Sequence, residues 1–144
     1  MTEECDAPAQ QAAPLTQEEI DAFETSIRAC VRHFYERARA DDMLGPIFNG
    51  YIKDWDRHLA TMDDFWSGAL IGTQRYKSAP FPPHLKLDMG QEHFDRWRDV
   101  WVPSCEATLP EPLKARAINM AEHMSHCWGR AFVMMKKEIG RAHV

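Results

Sequence analysis

Apolar residues in this 144-residue chain recur at three- and four-residue steps over long stretches, and no segment shows the strict alternation of a half-buried strand. That spacing belongs to amphipathic helices, so the fold class is all-α. Thr16 followed by Glu19 forms a capping box and predicts a helix start, after which Ile20, Phe23, Ile27, Val31, Phe34 and Ala38 share one face. Tyr35 lies at the edge of this stripe and His33 opposite it. The stretch Asp42–Phe48 carries Gly45-Pro46 and reads as a tight corner. A second helix is expected from about Asp54 to Ile71, with Trp55, Leu59, Met62, Phe65 and Trp66 facing inward. Gly72 to Pro83 contains three prolines and reads as a loop, followed by at most one helical turn at His84 to Leu87. A third helix from near Gln91 aligns Phe94, Trp97 and Trp101 until Pro103 kinks or ends it. The final helix presents Leu113, Ala117, Met120, Met124 and Cys127, with Gly140 as its stop. Such helices can pack as an up-and-down bundle or cross at globin-like angles, and periodicity does not choose between them.

The length suits a single domain, expected over residues 16–144 behind a Pro-, Gln- and Ala-rich tail at 1–15 that reads as disordered. A net charge of -5 with no Lys/Arg stripe argues against nucleic acid and anionic membrane as partners. No apolar run approaches the roughly 18 residues of a bilayer span. Neither a CxxC pair nor a secretory leader accompanies Cys5, Cys30, Cys105 and Cys127, which read as reduced thiols of a cytoplasmic protein. Five Trp and eight Met are generous for this length and point to something wide and apolar that needs lining.

Several residues are candidates for chemistry. His58 sits on an inward face among Trp55, Leu59, Met62 and Phe65, where an imidazole needs a partner or a ligand; a core-margin histidine bonded to a carbonyl or water is the plainer reading. Tyr35 and Trp97 have the same two readings, packing residue or donor. His84 follows Pro82-Pro83, whose stiff backbone would hold the imidazole in place, and a neutral imidazole is a good iron ligand; a loop histidine can also be exposed and idle. His123 and His126 stand three apart but lack a third zinc ligand at a usual spacing. There is no CxxCH for covalent haem attachment, no glycine-rich phosphate loop and no nucleophile elbow.

In order, Phe34-Tyr35, Leu44-Gly-Pro-Ile-Phe48, Trp55-Asp-Arg-His58, Phe65-Trp66, Tyr76-Lys-Ser-Ala-Pro80, His84-Leu85 and Phe94-Asp-Arg-Trp97 make a succession that resembles the third group of truncated haemoglobins, from about Gln17 to Gly140. The resemblance implies a truncated globin fold, two helices over two around one non-covalent haem b, with a largely unwound segment before the proximal histidine. It assigns His84 to the iron, Tyr35 and Trp97 to the distal polar pair, and His58 to the gating position of the distal helix. Phe48, Met62, Phe65, Leu85 and Phe94 would line the porphyrin, and Arg75, Tyr76 and Lys77 stand within reach of its propionates.

Three functions compete at this level. The first is a gas-binding globin with O2, NO or CO at a pentacoordinate iron, a monomer or weak dimer. The second is a haem enzyme, peroxidase-like or a nitric oxide dioxygenase, served by an external reductase because the chain carries no reductase domain. The third is a haem-free helical module that binds a partner through its Trp- and Met-rich face.

Overall fold

The computed structural model describes residues 14–76 and 89–142, and every described element is helical. Five helices follow one another: α1 (Gln17–Ala40), α2 (Leu44–Tyr51), α3 (Trp55–Ile71), α4 (Gln91–Thr108) and α5 (Leu113–Ala142). Among the described residues no helix is long and apolar enough to cross a membrane.

Each boundary has a local cause. Thr16 caps α1 as expected: its hydroxyl accepts from the Glu19 amide and the Glu19 carboxylate accepts from the Thr16 amide. Asp54 caps α3 by accepting from the Arg57 amide, and Gly72 ends it in the left-handed region at φ 80°, where glycine pays no Cβ penalty. The His93 imidazole reaches back to accept from the Gly90 amide at the start of α4.

Three boundaries differ from the sequence reading. The segment around Pro46 is a helix and not a corner, because Pro46 falls in the first turn of α2, where a backbone N–H has no intrahelical partner to lose. Asp41 makes this possible. Its carboxylate accepts from the Met43 and Leu44 amides at 2.9 Å each, so the chain turns from α1 into α2 with its free donors satisfied. Gly45 then lets the two helices meet, since a Cβ there would stand 2.6 Å from the Arg39 carbonyl oxygen. Pro103 does not end α4, which continues to Thr108 with Pro103 on its exposed side. Gly140 does not stop α5, which runs to Ala142.

The core lies where α1 crosses α3 and α4, with α4 packed along α5 and α2 bridging α1 and α4. Ile27, Val31 and Phe34 of α1, Trp101 and Cys105 of α4, and Leu113 of α5 are each at most 2% exposed. Burial of such side chains contributes about 1.5–3 kcal/mol apiece. Phe34 is the hub: its ring meets Tyr35, Phe48, Trp97 and Trp101 edge-on at 4.8–6.3 Å between centroids. His33, placed opposite the apolar stripe by the sequence, instead meets α4, its Nδ1 standing 2.7 Å from the hydroxyl of buried Ser104. Cys30 and Cys105 are free thiols, whereas Cys127 is disulfide-bonded, so the expectation of reduced cysteines fails at that position.

Candidate functional site

All five helices, together with the residues leading into α4, contribute to one apolar cavity of about 700 Å3, counting its open mouth. Val31, Phe34 and Tyr35 of α1 form one wall and Met62, Phe65 and Trp66 of α3 another. Met89, just ahead of α4, and Phe94, Trp97 and Trp101 on it face them, while Phe48 and Met124 close the ends. Three thioethers give a surface that adapts to an irregular apolar ligand.

A polar pair stands at one edge of the cavity. Tyr35 Oη and His58 Nε2 are 2.8 Å apart, bringing α1 and α3 together. Their rings meet edge to face at 5.1 Å, and Trp55 packs against both, itself covered by the Arg39 guanidinium at 4.2 Å. Tyr35 is 8% exposed, and burial raises its phenol pKa far above the ordinary value, so the hydroxyl stays protonated at every physiological pH. His58 therefore has the partner that its inward position demanded, and the Tyr35 hydroxyl does not reach for water.

Three indoles stack where the α3 and α4 walls meet. Trp66 lies on Trp101 at 4.4 Å and Trp101 faces Trp97 at 6.1 Å with rings 6° from parallel. Trp101 is 2% exposed and its Nε1–H is a fully buried donor with no hydrogen-bond partner among the described residues. A buried orphan donor of this kind is rare and marks a place where an acceptor belongs.

The structure brings Tyr35, His58, Trp97, Phe48, Met62, Phe65 and Phe94 to this one region, with His58 on the edge formed with Tyr35 and the others on the cavity wall. His84, Leu85 and Lys77 lie outside the described residues. Arg75 pairs with the Glu24 and Asp64 carboxylates and donates to the Ser67 hydroxyl, and Tyr76 packs edge-on against Phe65 at 5.2 Å. The sequence reading missed Val31, Phe34, Trp66, Met89, Trp101 and Met124 as lining residues. The signal for Trp101 was present: it stands four residues after Trp97, and residues so spaced share a helix face. His123 and His126 are exposed, and no group of three metal-ligating side chains occurs among the described residues.

No model of a known protein family matches the chain. Over 117 residues it is 35% identical to the group 3 truncated hemoglobin ctb of Campylobacter jejuni, an alignment covering 72% of this chain and 92% of that protein. The chain belongs to the group 3 truncated haemoglobins. A solved structure agrees: the crystal structure of the group III truncated hemoglobin from Campylobacter jejuni superposes with a TM-score of 0.70 at 32% identity, covering 76% of this chain and 90% of that one. The all-α, truncated-globin expectation is thereby borne out, and the bundle alternative falls.

A truncated haemoglobin implies a haem, and the residues present fit one. A large flat aromatic group needs an apolar pocket, and this one is lined by aromatic rings, thioethers and Val31. It also needs polar groups confined to where a ligand will sit, and the polar side chains of this cavity gather at the Tyr35–His58 edge and the indole wall.

Proposed function

We propose that this truncated haemoglobin binds haem b non-covalently through His84 and takes up a diatomic ligand, O2, NO or CO, on the side of Tyr35, His58 and Trp97. The observation that carries the reading is the 2.8 Å Tyr35–His58 hydrogen bond at the edge of a cavity otherwise walled by rings and thioethers. When bound, the haem supplies an iron with one coordination position open to a small ligand. The residues of the chain do the rest.

The direction of the Tyr35–His58 bond decides what the pocket offers. With Nε2 unprotonated, the Tyr35 hydroxyl donates to it and no phenolic proton is left for a ligand. With the proton on Nε2, His58 donates to Oη, and the Tyr35 O–H is free to turn into the cavity. Both arrangements share the same heavy-atom positions, so the second costs no side-chain movement. A protonated phenol held by burial can then donate to a ligand that draws charge from iron, a bond of about 1.5–3 kcal/mol when the acceptor is charged. The Trp97 indole, on the wall beside Phe94 and Trp101, is the second donor of the proposal. Phe48, Met62, Phe65 and Phe94, which line the cavity, would pack against the porphyrin, with Leu85 as the further candidate that the resemblance names. Met89, five residues after His84 in the sequence, lines the cavity.

Absorption spectra of the full chain loaded with haem, in ferric, ferrous and carbon monoxide-bound forms, test the reading. A Soret band in all three and a five-coordinate ferrous spectrum are expected. His84→Ala should be folded and haem-poor, or need added imidazole to regain that spectrum. A chain that takes up no haem is a helical interaction module instead, and full haem retention with unchanged axial ligation in His84→Ala moves the proximal role to another residue.

A further inference from the structure

Trp55 touches both members of the Tyr35–His58 pair, yet it does not line the cavity and has no place in the reading above. Its ring meets Tyr35 at 5.4 Å and His58 at 5.8 Å between centroids, with the planes 70° and 84° apart, so both contacts are edge to face. Phe34 at 4.8 Å and Phe48 at 5.4 Å also brace the Tyr35 ring. Trp55 is the first residue of α3 and only half-buried, so the core alone does not hold it. What covers it comes from two other helices. The Arg39 guanidinium, near the end of α1, stands 4.2 Å from the centre of the indole. Arg39 is in turn clasped by Asn49 of α2: its Nε donates to Asn49 Oδ1 at 2.8 Å, and Asn49 Nδ2 donates to the Arg39 carbonyl at 3.2 Å. An exposed arginine ordinarily loses rotamer freedom when it stacks on a ring, and here the Asn49 bond already fixes that side chain.

We propose that Trp55 is the positioning residue of the ligand pocket, held by the Asn49–Arg39 clasp, and that it confines Tyr35 and His58 to one rotamer each. The inference rests on the ligand-binding reading, because the donor it positions is the donor of that reading. Trp55 itself gives nothing to a ligand. A hydrogen bond of 2.8 Å fixes one distance and leaves both rings free to turn about it together. Packing against both rings removes that freedom, since any other staggered rotamer of either one must displace the indole. A donor held in this way contributes its full bond to a ligand, whereas a donor that samples several positions contributes only in proportion to the time it spends facing the cavity. With Trp55 gone, the pocket becomes a mixture of states with the Tyr35 hydroxyl facing the ligand or averted from it. The clasp also gives α2 two tasks in consecutive residues: Phe48 closes the cavity, and Asn49 anchors the arginine that holds Trp55.

The experiment reads the pair twice, in the haem-free and in the haem-loaded full chain. In the haem-free chain labelled with 15N-histidine, the His58 ring signals, assigned by their loss in His58→Leu, should form one set. Trp55→Leu should split or broaden them, and so should Arg39→Met, which keeps the stem but loses the charge and the Asn49 bond. Trp55→Phe keeps a ring at the contact and should restore the single set. Ile27→Val, a core truncation two turns away on α1, controls for lost stability: it should lower the melting temperature and leave one set. In the haem-loaded chain, the C–O stretching band of the carbon monoxide-bound form should be single in the parent and split in Trp55→Leu. Oxygen release in that variant should quicken by at most the order of tenfold that one lost hydrogen bond gives. Unchanged His58 signals in both Trp55→Leu and Arg39→Met overturn the proposal, as do a single C–O band in Trp55→Leu or split signals in Ile27→Val. A split confined to Trp55→Leu removes the clasp and keeps the role of Trp55. Should Trp55→Leu fail to fold, Arg39→Met, at an exposed site, decides. A chain that takes up no haem sinks the ligand-binding reading, while the His58 signals still report whether Trp55 confines the pair.

Discussion

Tyr35 carries more of the proposed site than any other side chain, because its ring packs the core and its hydroxyl serves the pocket. Tyr35→Phe separates the two roles: the ring stays and only the O–H is lost. Oxygen release followed by stopped flow should then quicken on the order of tenfold, the equivalent of one hydrogen bond of about 1.4 kcal/mol. Trp97→Phe should act in the same direction. Two donors to one ligand form one network, so the double variant should depart from the product of the single effects. A Tyr35→Phe rate within twofold of the parent, with multiplicative doubles, would return both residues to packing. At this scale the sequence was informative where a side chain had a demand of its own. An inward His58 required a partner and found Tyr35. It named Arg75 only as a residue within reach of the propionates, and its pairing with Glu24 and Asp64 joins residues that no local spacing relates.

Among the elements, the turn from α1 into α2 shows how one carboxylate sets a helix boundary. Burial raises the Asp41 pKa, but the Leu44 amide, the Arg96 guanidinium at 2.7 Å and the Met43 amide together outweigh it and hold the group below the usual carboxylate range. A folded pKa lower than the unfolded value near 3.9 means that the ion stabilises the fold above that pH and loses its contribution as pH falls through and below it. Asp41→Asn should cost about 1–2 kcal/mol at pH 7, with the gap to the parent narrowing below about pH 4. Denaturant melts at pH 7 and pH 3 check this, and an equal gap at both would remove the charge from the account. The same turn explains why α2 escaped a reading by pattern. Gly-Pro is a breaker inside a helix and harmless in its first turn, and only the Asp41 cap distinguishes the two cases. The long helices were readable because each has an apolar face, and α1 and α3 carry side-chain caps as well; α4 and α5 outran their expected ends because Pro103 and Gly140 weaken a helix without forbidding it.

For the whole molecule, filling the cavity should be the largest single change in stability open to it. A group that binds only the folded chain adds RT ln(1 + [L]/Kd), about 4 kcal/mol at a thousandfold excess over Kd. Apo and haem-loaded protein compared by calorimetry should therefore differ by several degrees in melting temperature, and coincident melts would show that the cavity does not bind haem. The cavity also has a history within each molecule. Its walls run from Val31 to Met124, so a chain growing on the ribosome makes the Tyr35–His58 edge before the α4 wall that faces it and before the Met124 side chain that closes its end. A nascent chain that ends before α4 carries only the walls of α1, α2 and α3. On the proposed reading, haem loading therefore waits for α4 and Met124, and a halt in translation before them leaves a chain with no closed site to fill.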